Sequence, residues 1–186
     1  MAIERFGALS NGPPSRLLSF ADHGLRASVV SGRQVDSHGP DCRLRRMKAT
    51  PFNQKTIEEF QAKQGRGVGR WGDHLLLMTA RGAKSGDAIT TPLVYGRDRN
   101  DYIIVASMGG APTNPTWFGN ITVNPEVEVE VANARGTEKF KARAGVVENR
   151  AERDRLFSDM CNIWPSYADY QKRTDRVIPV VILHRY

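Results

Sequence analysis

The sequence predicts a mainly β protein in which about six mostly antiparallel strands form a small barrel with three helices packed around it. Residues 74–184 contain six short segments with the apolar or alternating pattern of strands, and turn residues separate them. Three segments with helical spacing do not alternate with these strands as a parallel βαβ sheet would require. With 186 residues, 40% of them apolar, the chain is long enough to bury a core.

The predicted strands are short, and their patterns indicate which side chains they bury. They lie at residues 74–80, 89–95, 101–107, 126–131, 137–147 and 178–184. The first is almost entirely apolar, whereas the fourth alternates acid with valine and should bury Val127, Val129 and Val131. Pro92 in the second strand has no N–H for a ladder hydrogen bond, so it predicts an edge position or a bulge. The turn 97–100 predicts a hairpin between the second and third strands.

The three helices are predicted from capping residues and apolar spacing. Asn53 is the predicted N-cap of a first helix of about ten residues. Thr113 or Asn114 should cap a short second helix, with Pro115 at its first position. Asn149, followed by a glutamate three residues later, forms a capping-box pattern that should begin the third helix.

The composition changes near Met47. Residues 1–46 are rich in Gly, Ser, Pro and Arg, and their apolar periodicity is weak. Such a segment buries too little apolar surface to offset the entropy lost on ordering. We therefore expect an N-terminal extension outside the fold, either flexible or an artefact of the choice of translation start, followed by one barrel domain over residues 47–186.

Charge and cysteine usage limit the classes of partner and compartment. The net charge of +7 favours anionic partners in general, but no basic stripe with interleaved aromatics indicates nucleic-acid binding. No apolar run approaches the ~18 residues of a membrane helix, and no secretory signal is visible, so we expect a cytoplasmic protein. Cys42 and Cys161 match no metal or redox spacing and are interpreted as reduced thiols. The four histidines are scattered, so neither a metal site nor a catalytic triad is predicted.

Two glycine-rich segments differ in what they can bind. Residues 67–72 match G-x-G-x-x-G, but they follow a helix and precede a strand, the reverse of the order in a dinucleotide site. The turn 82–86 has two glycines that let backbone N–H groups point outward, while Ser85 adds a hydroxyl and Lys84 a positive charge. This turn is either an anion site or a plain hairpin turn with a surface lysine. The aromatic segment 164–170 is either packing material or a wall for a flat ligand.

Eight blocks of residues occur in a familiar order. They are LLL at 75–77, GAKSG at 82–86, TTPLVY at 90–95, ASMGGAP at 106–112, NPTW at 114–117, NPEV at 124–127, WPSYADYQ at 164–171 and TDRVIP at 174–179. In these blocks the chain resembles the deazaflavin-dependent nitroreductase family of actinobacteria, within the flavin/deazaflavin oxidoreductases. The resemblance covers residues 53–186 and none of residues 1–46.

The resemblance implies a fold, a cofactor and a reaction. The fold would be a split β-barrel of the FMN-binding split-barrel type. The protein would be an oxidoreductase that uses the reduced deazaflavin coenzyme F-420, F420H(2), and passes its hydride to a quinone, a nitro compound or an activated enone. Such an enzyme needs no acid–base triad, because the cofactor supplies the chemistry. The implied partner is a small-molecule acceptor, and the protein would be a monomer or a homodimer.

The resemblance also assigns site residues. Those that would bind the coenzyme are Lys84, Ser85, Gly86, Ala106, Ser107, Gly109, Gly110, Ala111, Pro115, Thr116 and Trp117. The acceptor pocket would be lined by Trp164, Tyr167 and Tyr170. The catalytic candidates are Tyr167, Tyr170 and Ser107, since a hydroxyl can orient the acceptor or relay a proton. No metal is implied.

Three departures from the family pattern leave alternatives open. Met108 stands where the family often has lysine, Ile89 where it often has arginine, and Trp164 where it often has tyrosine. The loss of two cations favours an FMN- or haem-type binder of the same fold, with FMN as the second cofactor candidate. A second alternative is a non-catalytic deazaflavin carrier. A third is a basic protein in peripheral contact with an anionic membrane, although no convincing amphipathic helix supports it.

Overall fold

The six strands form a closed antiparallel barrel. The computed structural model describes residues 49–186, apart from the side chain of Phe52, so the predicted extension 1–46 lies outside the described residues. The strands are β1 Leu75–Arg81, β2 Ala88–Asp98, β3 Asp101–Val105, β4 Glu126–Asn133, β5 Gly136–Val146 and β6 Val180–Arg185. They pair in the order β1-β2-β3-β6-β5-β4, and β4 closes the barrel on β1. The predicted fold class is confirmed.

Within residues 49–186 four α-helices accompany the barrel, one more than the sequence predicted there. They are α1 Pro51–Ala62, α2 Thr116–Val123, α3 Arg150–Ile163 and α4 Ser166–Lys172. The prediction missed α4 because its seven residues are too few to show a helical period.

The helix caps correct two predictions and confirm a third. The N-cap of α1 is Thr50, whose hydroxyl accepts from the Asn53 N–H, so Asn53 lies inside the first turn and Asn53 as the N-cap was wrong. Pro115 is itself the N-cap of α2, and no side chain caps that helix. Because the backbone of Pro115 is extended, this residue lies at the N-cap, one position before the first helical position that the sequence predicted for it. Asn149 caps α3 as predicted, because its side-chain oxygen accepts from the Glu152 N–H at 3.0 Å.

The alternating strands bury the predicted faces in the barrel interior. Val127, Val129 and Val131 are all buried there, and they pack with alternate residues of β1 such as Leu76 and Met78. The outward residues of β4 face basic partners on β5, as where Glu130 pairs with Lys139 at 3.4 Å. The barrel core therefore follows directly from the period-2 pattern.

Strand direction brings the segments of interest to one end of the barrel. β1 and β3 run the same way because each is antiparallel to β2, and β4 and β6 run the opposite way. The turn after β1, the segment 106–125 between β3 and β4, and the segment before β6 therefore share this end.

The same end of the barrel is open beside β2. β3 pairs only with Tyr95–Asp98, so among the described strands the half of β2 at 88–94 has a neighbour on one side, β1. Pro92 lies in this half, opposite Leu77. The proline thus occupies a locally edge-like position, as predicted, and the unpaired side of β2 provides the floor of a groove.

Candidate functional site

A groove of about 650 Å³ lies between the β1–β2 turn and the start of α2. It is lined by Gly82, Ala83, Lys84, Ser85, Ile89, Asn114, Pro115, Thr116, Phe118, Gly119, Asn120 and Thr122. Four of the predicted coenzyme residues, Lys84, Ser85, Pro115 and Thr116, therefore line one groove. They come from segments about thirty positions apart in the chain.

The turn after β1 is held in shape by its own backbone and by α2. Gly82 donates to the Asp87 carbonyl at 2.8 Å, and Gly86 donates to the Gly82 carbonyl at 2.9 Å. The buried Asn120 of α2 accepts from the Ala83 N–H at 3.0 Å, which joins the two walls of the groove. Gly86 has a φ of +68°, a conformation that glycine adopts without strain. Gly86 itself shapes the turn and is not among the lining residues.

Lys84 gives the groove a positive charge. Its side chain is exposed, and within residues 49–186 it forms no ion pair or hydrogen bond. The hydroxyl oxygen of the neighbouring Ser85 accepts from the Asp87 N–H at 3.2 Å, which leaves its proton free to donate. This end of the groove therefore fits an anionic group, while Ile89, Pro115 and Phe118 give the rest an apolar lining suited to a ring system.

A second, smaller groove of about 400 Å³ adjoins the first along the open side of β2. It is lined by Ala49, Thr50, Asn53, Ile89, Thr91, Thr116, Trp117 and Asn120. The two grooves share Ile89, Thr116 and Asn120, so they lie side by side. The predicted coenzyme residue Trp117 lies here, buried on its barrel side.

The segment 106–114, which contains the predicted ring-binding residues, is fixed by a distant arginine. Arg176 donates from Nε to the Ala111 carbonyl at 2.9 Å. Its Nη2 donates to the carbonyls of Ala106 at 3.1 Å and Ser107 at 2.9 Å. Its Nη1 donates to the side-chain oxygen of Asn114 at 2.8 Å. Partial burial lowers the pKa of the Arg176 guanidinium from its ordinary value, and no ion pair within the described residues offsets its charge.

The backbone around Arg176 is itself anchored by buried polar groups. Gln171 of α4 donates to the Arg176 carbonyl at 2.8 Å and accepts from the Ile178 N–H at 3.0 Å. Arg153 of α3, only 6% exposed, donates to Gln171 at 3.0 Å and twice to the Ile178 carbonyl. This series of contacts connects α3 and α4 to the segment 106–114.

Sequence reasoning assigned no role in the site to Asn114, Asn120, Gln171, Arg153 or Arg176; it offered Asn114 only as an N-cap of α2, which was wrong because no side chain caps that helix. Gln171 and Arg176 do lie in two of the blocks quoted above. The one available signal for these two residues was that each is a polar side chain inside a block and away from any predicted strand or helix cap.

The predicted acceptor-pocket residues Trp164, Tyr167 and Tyr170 lie at the end of α3 and on α4, the helix that packs on Gly110. Tyr167 is 5% exposed and packs against Phe157, with ring centroids 6.3 Å apart. Tyr170 is half-buried and meets Tyr167 edge to face at 6.1 Å. Gly110 fits beneath α4 so closely that a Cβ there would lie 2.6 Å from the Tyr170 carbonyl oxygen.

Neither of the two grooves is lined by these aromatics. Trp164, also half-buried, lies with Arg70 at 5.8 Å from its ring. Burial raises the pKa of the Tyr167 phenol far above its ordinary value, so this hydroxyl stays protonated at neutral and mildly alkaline pH. A protonated phenol can donate a hydrogen bond but cannot act as a base.

The two positions where the family pattern lacks a cation have different environments. Met108 is 54% exposed and has a φ of +45°, which is unusual for a residue with a side chain. Ile89 lies on the floor shared by both grooves. Compared with the family pattern, Ile89 in place of arginine makes the groove more apolar. Met108 in place of lysine exposes an apolar side chain to water.

Several kinds of site are absent from the described part of the chain. Residues 49–186 contain no group of three or more His, Cys, Asp or Glu that could hold a metal ion. None of the four helices has the length and apolar character needed to cross a bilayer. Cys161 is a free thiol whose pKa is raised by burial, and Cys42 lies outside the described residues, so the predicted reduced state of both stays a prediction.

Comparison with known proteins identifies the family. The family model described as F420H(2)-dependent quinone reductase matches residues 52–185. An F420H(2)-dependent quinone reductase of Mycobacterium tuberculosis is 38% identical over 118 residues, which are 59% of this chain and 72% of that protein.

Two solved structures support the same family assignment. One described as an F420-H2 dependent reductase is 36% identical with a TM-score of 0.54, covering 60% of this chain and 94% of the other. Another, described as a domain-swapped dimer, is 34% identical with a TM-score of 0.55 and covers 70% and 93% of the two chains. Since the family model spans almost all of the described barrel, this chain belongs to the F420H(2)-dependent quinone reductase family.

Proposed function

We propose that the groove beside β2 binds reduced coenzyme F-420 and that the protein passes its hydride to a quinone. The groove itself supports this most directly, because a cationic turn at Lys84 meets an apolar lining from β2 and α2 there. The chain that forms this groove is a member of the quinone reductase family. A coenzyme with an anionic tail and a flat ring needs both surfaces side by side.

The family confirms the predicted enzyme class and cofactor. Its members are described as F420H(2)-dependent quinone reductases, which agrees with the predicted deazaflavin-dependent reductase and with F-420 as the coenzyme. The family match favours F-420 over the FMN and haem alternatives, which rested on the departures at Met108 and Ile89, and the turnover test below separates an enzyme from a non-catalytic carrier.

We assign the coenzyme contacts as the sequence predicted them. Lys84 and Ser85 would hold the anionic tail through a charge and a hydroxyl donor, while Pro115 and Thr116 would close the groove. Ala106, Ser107 and the turn at 109–111 would lie along the ring. When bound, the coenzyme supplies the hydride, so the chain needs to bind, orient and exclude water. This role agrees with the apolar lining at Ile89, Pro115 and Phe118.

We assign the acceptor side to Tyr167 and Tyr170. A quinone oxygen gains negative charge as a hydride reaches the ring, and a hydroxyl that donates to that oxygen favours the transition state over the ground state. Tyr167 is suited to donate because its phenol remains protonated across the neutral range. Ser107, whose carbonyl is held by Arg176, is the third hydroxyl that could donate.

Assembly and location remain parts of the proposal. We propose a monomer or a homodimer acting in the cytoplasm on a small-molecule acceptor; the similar structure described as a domain-swapped dimer supports the homodimer. Light scattering on the purified protein distinguishes the two assemblies. Partition of the full chain between cytosolic and membrane fractions tests the location.

The function is tested by binding and turnover with the full chain. Titration with F-420, followed by its fluorescence, should show saturable binding. Anaerobic mixing of reduced F-420 with menadione should then regenerate the oxidised coenzyme, followed by its visible absorbance, with nitro and enone acceptors compared at equal concentration. Tight binding without turnover of any acceptor would make the protein a carrier. Absence of binding would overturn the proposed function.

A further inference from the structure

The Asn114 side chain lies between Arg176 and the groove. It is exposed, it lines the larger groove, and its oxygen accepts from Arg176 at 2.8 Å. A guanidinium has only donors, so the amide atom that faces it must be the oxygen. The amide nitrogen therefore points elsewhere, and within residues 49–186 it donates to no protein group.

The three other Arg176 contacts fix the backbone that leads to Asn114. They reach the carbonyls of Ala106, Ser107 and Ala111, all on the segment between β3 and α2. This segment contains Met108, Gly109 and Gly110, three consecutive residues with positive φ. Its own backbone supplies only two bonds, from Gly110 to Ser107 and from Ala111 to Met108, so the carbonyls of Ala106, Ser107 and Ala111 rely on outside donors to keep one conformation.

We propose that Arg176 is a positioning residue for the segment 106–114 and that it orients the Asn114 amide so that its N–H2 group donates to an oxygen of the coenzyme. The second part rests on the proposed function, because it assigns a new contact to the same groove. Neither residue is among the predicted coenzyme contacts. Lys84 and Asn114 would then approach the ligand from opposite walls, one with a charge and one with a directed donor.

The anchoring of Arg176 supports a positioning role over a general packing role. Gln171 fixes the carbonyl of Arg176 itself, and the same amide holds the Ile178 N–H two residues later. A guanidinium supplies five donors in a rigid plane, and here four contacts fit that plane. A lysine in its place has three donors on a flexible stem and cannot reproduce the arrangement.

Three variants separate the two parts of the proposal. Arg176→Lys keeps the charge and removes the planar donors. Asn114→Asp keeps an acceptor for Arg176 and removes the N–H2 donor. Arg155→Lys is the matched control, since within residues 49–186 the exposed Arg155 of α3 pairs only with the half-buried Asp98 at the end of β2 and with the exposed Asp159 of α3.

Two measurements are made on each full-length variant. The first is hydrogen–deuterium exchange of residues 106–114 without ligand, and the second is the dissociation constant for F-420. For Arg176→Lys we expect faster exchange of this segment and about tenfold weaker binding. For Asn114→Asp we expect unchanged exchange and binding weaker by about tenfold, persisting at about 1 M salt where charge repulsion is screened. Arg155→Lys should match the wild type in both.

Each other result overturns a part of the proposal. Unchanged exchange in Arg176→Lys rules out positioning, and faster exchange with full affinity shows that the positioning does not serve the coenzyme. Full F-420 affinity of Asn114→Asp rules out the amide contact. Because Asn114 is exposed, this variant should fold normally, so the amide contact can still be tested if Arg176→Lys folds poorly. If the wild type fails to bind F-420, the proposed function and the Asn114 contact both fall, while the exchange measurement still decides whether Arg176 orders the segment.

Discussion

The two segments that border the groove keep their shape in different ways. The turn at 82–87 closes through hydrogen bonds within itself, as between Gly82 and Asp87, with one contact from Asn120. The segment 106–114 has two short-range backbone bonds of its own and is otherwise held by distant parts of the chain: Arg176, the Pro179 carbonyl that accepts from the Ala106 N–H, and α4 against Gly110. A local turn can be recognised from its residues, whereas a segment fixed by a distant side chain cannot.

The same difference predicts how each segment responds to substitution. A change in the local turn should alter the ligand contact and leave the fold intact. A change in the segment 106–114 should affect both, because its backbone also supports α4. Variants of Gly110, Gly86 and Lys84 test this difference between the two segments. Variants of the tyrosines and of the N-terminus test the residues around them, and the four experiments run from the largest expected effect to the smallest.

The largest effect is expected for Gly110→Ala. Gly110 has a φ of +83°, and a Cβ there would lie 2.6 Å from the Tyr170 carbonyl oxygen and 3.0 Å from its Cα. Backbone atoms cannot move aside cheaply, so we expect a loss of roughly 3 kcal/mol in the free energy of unfolding together with weaker coenzyme binding. Urea denaturation measures the loss.

The control for this experiment is Gly86→Ala in the other segment. Gly86 has a φ of +68° but nothing within 4 Å of its added Cβ. The cost should be only the backbone strain, about 1 kcal/mol. Equal losses in the two variants would show that the segments do not differ in tertiary dependence.

The second experiment replaces the tyrosine hydroxyls. Tyr170→Phe and Tyr167→Phe should each lower turnover with a quinone, by about tenfold or more for Tyr170, and leave coenzyme affinity unchanged. Steady-state kinetics beside F-420 titrations measures both quantities. Wild-type turnover in both variants would leave the two rings as packing residues, a role that Tyr167→Ala should reveal as lost stability because its ring contacts Phe157.

The third experiment is Lys84→Ala. Lys84 is exposed and pairs with nothing in the described chain, so its removal costs little packing. We expect coenzyme binding to weaken by about threefold to tenfold at low salt, with an unchanged melting temperature. The effect should shrink as salt rises, because exposed charges are screened beyond about 8–10 Å. Unchanged affinity at low salt would show that the turn does not hold the anionic tail.

The smallest effect is expected from removal of the N-terminal residues. A chain that begins at Met47 should retain the melting temperature and the coenzyme affinity of the full chain, because residues 1–46 have too little apolar periodicity to build a core. Thermal melts and F-420 titrations of the two chains make the comparison. A large loss in both quantities would mean that the N-terminal residues belong to the fold.

The strands and most of the helices could be predicted from local pattern alone. Valines at alternate positions of β4 identify its buried face, and Asn149 with Glu152 marks the start of α3. Each signal depends on residues within a few positions of one another. The same holds for the turn at Lys84, whose residue types made an anion site one of two interpretations, beside a plain hairpin turn. The N-cap at Thr50 was missed because Asn53, three residues later, is an equally good capping residue.

The sequence by itself determined the strand faces, the cationic turn and, through eight ordered blocks, the family and its coenzyme. Only the tertiary structure decided where β3 stops pairing with β2, and hence where the groove opens beside Ile89. It alone joined Arg176 to Ala106, Ser107, Ala111 and Asn114. The physical reason is that strand register and side-chain reach depend on how the whole barrel closes, and no local pattern of residues records that closure.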